Sequence, residues 1–211
     1  MVRKSYGRRT YRKKTYRKKT YRKRWNGRSR YSKTGKKLFL FKRFTGGYGQ
    51  LAINNFNPTF LGLNFSLNDL PNYTEFTALY DQYKINCIKI QFIPQMTENV
   101  SLTPLNNALA NARFFSAIDY TDATAPTTID QLREYSTCKM TPILKTHKRV
   151  IYKPKILDSS SYTLSPWISC DSPSVNYFGL KIGVEPMGST SVTSMDFSIE
   201  AVFYMSFKNV R

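Results

Sequence analysis

Tyr11, Tyr16 and Tyr21 recur every five residues, each preceded by a threonine and followed by three basic side chains. The triplets are Arg12-Lys13-Lys14, Arg17-Lys18-Lys19 and Arg22-Lys23-Arg24, and Trp25 closes the run. The repeat combines two chemistries that a single nucleic-acid strand can use. Lys and Arg neutralise phosphates and release condensed counterions. Aromatic rings offer flat faces on which unstacked bases lie whatever their identity, at about 1–3 kcal/mol per base. Further cations extend the candidate site on both sides: Arg3, Lys4, Arg8 and Arg9 before the repeat, Arg28, Arg30, Lys36 and Lys37 after it. A five-residue period does not match a 3.6-residue helix, so the tyrosines would spiral around one; the pattern suits an extended chain meeting a single strand. The same clusters have the composition of a nuclear localisation signal. Regularly interleaved aromatics exceed what such a signal needs, so import reads as a second use of the same residues.

Other side chains that might do chemistry lead elsewhere. His147 is the only histidine, which excludes a two-His metal site, and its neighbours Lys145, Lys148 and Arg149 make it read as an exposed strand residue rather than a base. Asp119 and Asp122 are close enough to suggest an acidic metal pair, but at a strand end they read as a turn cap or interface contact. Cys87, Cys138 and Cys170 lack zinc-site spacing and read as reduced, small buried hydrophobes. No phosphate-cradling Gly-x-x-x-x-Gly-Lys-Ser/Thr loop occurs. Neither an enzyme nor a cofactor is expected. The longest apolar run near the start, Leu38–Phe41, is too short for a signal peptide or a membrane span, so no membrane insertion is expected.

The charge explains how these residues are arranged. The 211 residues carry a net charge of +20, and residues 1–43 hold 20 of the 33 Lys and Arg with no Asp or Glu. From Phe44 onward 13 basic and 13 acidic side chains cancel. A neutral body with a concentrated cationic tail is the electrostatic footprint of a polyanion binder. No aliphatic residue lies between Val2 and Leu38, so residues 1–37 cannot build a core, and self-repulsion predicts a disordered arm without strands. Residues 38–211 form the body.

The body alternates with a period of two. Phe197, Ile199, Ala201, Phe203, Met205 and Phe207 occupy every second position near the end. Leu61–Leu67, Phe178–Val184 and Ile88–Phe92 alternate likewise, with weaker candidates at Leu38–Phe44, Gln50–Phe56, Arg113–Tyr120 and Thr146–Ile156. Two short helices interrupt them. One follows Asn72, with Tyr73, Phe76, Leu79, Tyr80 and Tyr83 on its apolar face and Glu75 closing a capping box. The other follows Thr128, with Gln131 in the capping position and Ile129, Leu132 and Tyr135 on one side. Eight strands with long connections predict an all-β, eight-stranded jelly-roll sandwich with short helices in its loops.

These residues also carry a family likeness. The run Phe76-x-x-Leu79-Tyr80-Asp81-Gln82-Tyr83-Lys84-Ile85, leading to Ile88-Lys89-Ile90-x-Phe92-x-Pro94, resembles a stretch recurrent in the capsid proteins of circoviruses and related circular single-stranded DNA viruses that encode a replication initiator. Asp119-Tyr120-x-Asp122, Lys153-Pro154, the segment from Trp167 to Gly179-Leu180-Lys181, the closing strand and the Arg/Lys/Tyr-rich opening are similar too. The resemblance covers nearly the whole chain. It implies a jelly roll, self-assembly into a T=1 icosahedral shell of sixty copies with the arm inside, and a packaged single-stranded DNA genome. It further implies host nuclear import receptors and a cell-surface receptor as partners, and a life divided between virion and host nucleus. Phosphate neutralisation and stacking do not read the sugar, so a capsid for RNA and a non-assembling nucleic-acid shuttle remain the alternatives that the residues alone leave open.

Overall fold

The computed structural model describes residues 30–31, 37–46, 48–95, 112–158, 161–164, 166–188 and 194–211. In chain order its first strands are β1 (Arg30–Tyr31), β2 (Lys37–Thr45), β3 (Gln50–Asn54) and β4 (Thr59–Phe65). Helix α1 (Tyr73–Leu79) leads into β5 (Tyr80–Pro94), followed by β6 (Arg113–Ala117) and α2 (Ile129–Arg133). Then come β7 (Lys139–Pro142), β8 (His147–Tyr152), β9 (Lys155–Asp158) and β10 (Ser161–Leu164). β11 (Ile168–Ser169), β12 (Tyr177–Val184) and β13 (Ser194–Val210) complete the set.

Two antiparallel sheets result. The first is built on β2-β13-β5-β8, with β1 outside β2, β3 on β13 and β11 on β5. The second is built on β4-β12-β6-β7, with β9 beside β12 and β10 beside β9. The main strands of each sheet come from distant parts of the chain, as a jelly roll requires. The alternating residues of β13 are buried from Phe197 to Phe207 and face the second sheet. Phe114 of β6 bridges the layers, its ring centroid 5.3 Å from Phe197 and 5.0 Å from Phe92.

A smaller core lies on the outer side of the second sheet, where Phe115 and Ala117 pack against Ile129, Leu132 and Tyr135. Glycines make the room for it. A Cβ on Gly183 would fall 2.6 Å from Leu132 Cδ1, and one on Gly62 would fall 1.8 Å from the Ala123 carbonyl oxygen. In the sequence these glycines read as the exposed half of an alternating strand; the cover supplied by α2 and the loop before it removes that exposure.

Several expectations need correction. The helix after Asn72 ends at Leu79, and Tyr80 and Tyr83 belong to β5, which is therefore much longer than Ile88–Phe92. Tyr80 is already extended and turns inward at the strand's first position, against Phe39, Phe41 and Phe207. Its spacing from Phe76 and Tyr83 imitated a helical face. No capping box forms there: Asn72 is left-handed (φ 59°) and its side chain caps nothing. At α2, Thr128 Oγ1 does accept from the Gln131 amide (3.3 Å), while Gln131 Oε1 accepts from the Thr127 amide (2.9 Å) rather than that of Thr128. Leu67 sits in a 3₁₀ turn past the end of β4. β7 escaped notice because its four residues are short, end in proline and show no buried alternation.

Candidate nucleic-acid interface

Of the basic and aromatic candidates, those at 3–28 and Lys36 lie outside the described residues; Arg30 and Lys37 lie within them. Arg30 and Tyr31 pair with Leu38 and Lys37. The arm expected to contain no strand thus contributes a two-residue one. The edge of β2 presents unpaired backbone N–H and C=O groups, and a short hairpin satisfies part of them. Lys37 is exposed, with Nζ 5.3 Å above the Phe39 ring centroid. This geometry joins the arm to the body at one edge of the first sheet.

The electrostatics of the two sheets differ. The outward face of the first carries Lys42 on β2, Lys84 and Lys89 on β5, and Lys148 on β8. Asp196 and Glu200 are the acidic side chains on the β13 part of that face, and Glu200 Oε2 accepts from Gln91 Nε2 at 2.6 Å. On the second sheet the outward Lys181 is neutralised. Its Nζ lies 3.0 Å from Asp119 Oδ2 and 2.6 Å from Asp122 Oδ1. Sequence reasoning placed Asp119 as a turn cap, and it is one, accepting from the Thr121 amide at 2.8 Å. It missed the ion pair, whose partner lies sixty residues along the chain. Burial acts to raise the Asp119 pKa, but hydrogen bonds from Thr121, Lys181 and Tyr135 outweigh it and bring the carboxyl down to about 2. For Lys181, burial lowers the pKa, and hydrogen bonds with Asp122, Asp119 and Tyr135 overcome that and raise it. A cavity of about 560 Å³ opens beside this cluster, lined by Asp122, Gln131, Glu134, Tyr135 and Lys181 among others.

His147 is not the exposed residue expected from its basic neighbours. It is fully buried between the sheets, stacked on Phe114 with centroids 4.6 Å apart. Strand parity turns positions 147 and 151 inward while Lys148 points out. One ring nitrogen is 2.6 Å from Ser116 Oγ and the other 2.8 Å from Thr141 Oγ1, so both are satisfied. The resemblance to a serine–histidine catalytic pair goes no further, since Ser116 is itself fully buried and no substrate reaches it. Burial, together with Lys139 and Arg149, pushes the imidazole down to about 3.

A pH dependence follows. The unfolded chain takes up a proton near pH 6.5 and the folded chain does not until about pH 3, so stability is full above pH 6.5 and declines below it. Urea unfolding of the unassembled protein is expected to show about 2 kcal/mol less stability at pH 5 than at pH 7. In His147→Gln most of that slope should vanish; an unchanged slope would assign it to other groups.

Among the described residues no group of three or more His, Cys, Asp or Glu could hold a metal, and no helix is long and apolar enough to cross a membrane. The three cysteines are free; Cys170 is buried as expected, while Cys87 and Cys138 are only half-buried.

The fold has close counterparts. The 60-mer BFDV capsid protein matches with a TM-score of 0.60 at 15% identity, over 82% of this chain and 95% of that one. The decameric BFDV capsid protein matches at 0.58 and 15%, over 82% and 99%. The cucumber necrosis virus structure matches at 0.54 and 16%, over 82% of this chain and 57% of the other. At such identities these likenesses establish the jelly-roll architecture alone. None of the curated proteins matches this sequence. The family model described as circovirus capsid protein matches residues 3–211, which takes in both arm and body. The chain therefore belongs to the circovirus capsid protein family and is a viral capsid protein, a constituent of the virion.

Proposed function

We propose that sixty copies of this chain form a closed shell around single-stranded DNA, with the arm directed inward as the main phosphate-neutralising element. The observation that carries this reading is the charge partition: residues 44–211 sum to zero, and of the whole excess of +20 the arm, residues 1–37, holds 18. The 60-mer BFDV capsid protein, which shares the fold, supports the copy number. Arg3 to Lys37 bind the phosphates, and Tyr11, Tyr16, Tyr21 and Trp25 stack on the bases. The same basic clusters are read by nuclear import receptors before assembly, and a cell-surface receptor binds the outside of the shell. The role is structural rather than enzymatic. The test is electron microscopy of the protein expressed alone, together with the absorbance ratio of the particles and the nuclease sensitivity of what they release. Closed particles containing nucleic acid are expected; a soluble, non-assembling protein that still bound DNA would replace this reading with that of a shuttle.

The tyrosines give a sharper test of the arm. Replacing Tyr11, Tyr16 and Tyr21 with alanine is expected to weaken binding to single-stranded DNA by about 1–3 kcal/mol for each ring engaged. Duplex binding should change little, because paired bases present no free faces. Fluorescence anisotropy with matched single- and double-stranded oligonucleotides measures both, and equal losses would make the tyrosines spacers.

A further inference from the structure

We propose that one end of the sandwich is a self-complementary contact between copies, in which Lys153 of each enters the cavity beside α2 of the other. The inference rests on the proposed shell and names one of the contacts that would close it.

The body is neutral as a whole, but its charge is divided along the chain. Residues 119–134 hold Asp119, Asp122, Asp130 and Glu134 against a single cation, Arg133. Residues 139–155 hold six Lys and Arg and no carboxylate. The fold sets the two stretches side by side at one end of the sandwich. The Tyr120 hydroxyl donates to the Tyr152 carbonyl at 3.1 Å, and Lys155 Nζ lies 5.6 Å from the Tyr120 ring centroid. Among the described residues none of the six cations forms an ion pair, so the two charges meet without cancelling inside one copy.

The receiving side is the cavity of about 560 Å³, with Asp122, Glu134 and Lys181 in its wall. Asp122 meets Lys181 and the Thr124 amide through Oδ1 alone, and Glu134 forms no ion pair among the described residues. With Asp119 behind them these carboxylates outnumber Lys181, so the cavity favours a further cation and disfavours an anion. The entering side is held by its backbone. Lys153 is exposed and sits at φ 48°, in the left-handed region that a lysine adopts only at a cost. Its amide donates to the Asn86 carbonyl at 2.9 Å, and Pro154 after it is buried, so the turn is fixed while the side chain stays exposed. Cavity and turn lie at the same end. A two-fold axis beside that end therefore brings each turn to the other copy's cavity and makes the contact twice.

The test uses full-length protein freed of nucleic acid and then assembled on single-stranded DNA. A carbodiimide joins an ammonium to a carboxylate it touches, and in particles of the unmodified protein it should link Lys153 to Glu134 or Asp122. In particles mixed from isotope-labelled and unlabelled copies, mass spectrometry should find those links between copies; this arm does not depend on any variant folding. Lys153→Glu and Glu134→Lys should each raise the protein concentration at half-assembly by about tenfold or more, because each sets like charges against one another. The double variant Lys153→Glu/Glu134→Lys should recover most of that loss. All three should bind a single-stranded oligonucleotide about as tightly as the unmodified chain, since the arm is untouched. Unchanged assembly in Lys153→Glu, no recovery in the double variant, or links confined to single copies would overturn the contact and leave the shell intact. Weaker binding to the oligonucleotide at unchanged assembly would give Lys153 to the packaged strand and overturn it as well. Unmodified protein that bound DNA and formed no particles would remove the shell itself, and this contact with it.

Discussion

Full-length protein stripped of nucleic acid is expected to form few closed shells at low ionic strength, and to form them readily when single-stranded DNA is added. Residues 1–37 hold 18 Lys and Arg and no acidic residue, so sixty inward-facing arms would bring 60 × 18, about 1,100, positive charges into one enclosed space. Only a condensed polyanion offsets repulsion of that size. Each cation neutralises about one phosphate, which sets the cargo at no less than about a thousand nucleotides. The reach of the arm sets no limit, since 37 residues extend to about 120 Å. Raising the salt shrinks the Debye length from about 10 Å at 0.1 M to about 3 Å at 1 M, so empty shells should appear at high salt. Light scattering with and without DNA across that range measures the effect. Efficient assembly of empty full-length shells at low salt would mean that the arms are not an internal counter-charge.

A large effect on the stability of the body is expected from a single substitution at Lys181. Its side chain is only 10% exposed and that of Asp119 only 7%, so Lys181→Met leaves a buried carboxylate without its counter-charge. Removing one member of such a pair costs about 3–5 kcal/mol. For a body of this size that corresponds to a fall in Tm of roughly 10 °C or more. Arg133→Met is the control: it loses pairs with Asp130 and Glu185, but the arginine side chain is 54% exposed, and surface pairs are worth about 0–1 kcal/mol. Adding Asp119→Asn to Lys181→Met should recover part of the loss, because the two changes act on one pair. The acid limb follows from the depressed Asp119 pKa. Its stabilisation is present above about pH 4 and is lost as pH falls toward 2. Equal losses in Lys181→Met and Arg133→Met would show that burial adds nothing to the Lys181 pair.

What the sequence disclosed depended on how local each signal was. The alternation from Phe197 to Phe207 became β13, and the runs at 61, 88, 113, 146, 178 and 38 each seeded a strand of the jelly roll, because core-facing residues of one strand lie two apart. The Gln50–Phe56 run became the accessory β3 rather than one of the eight main strands. The site was harder to read. Lys42, Lys89 and Lys148 are scattered along the chain and meet only through the register of β2, β13, β5 and β8. Lys181 looked like the solvent side of an alternating strand until a loop brought Asp119 and Asp122 over it. His147 misled for a related reason: strand parity puts Lys148 on the opposite face and turns the imidazole inward, where its polar partners come from β6 and β7.

The most direct test of the account is a cryo-electron microscopy reconstruction of particles formed by the full-length protein around single-stranded DNA. It should show a closed shell of sixty copies with the root of the arm at β1 on the inner side and nucleic-acid density reaching it. A shell in which the root of the arm lies on the outer surface, or one whose interior density stays clear of it, would contradict it.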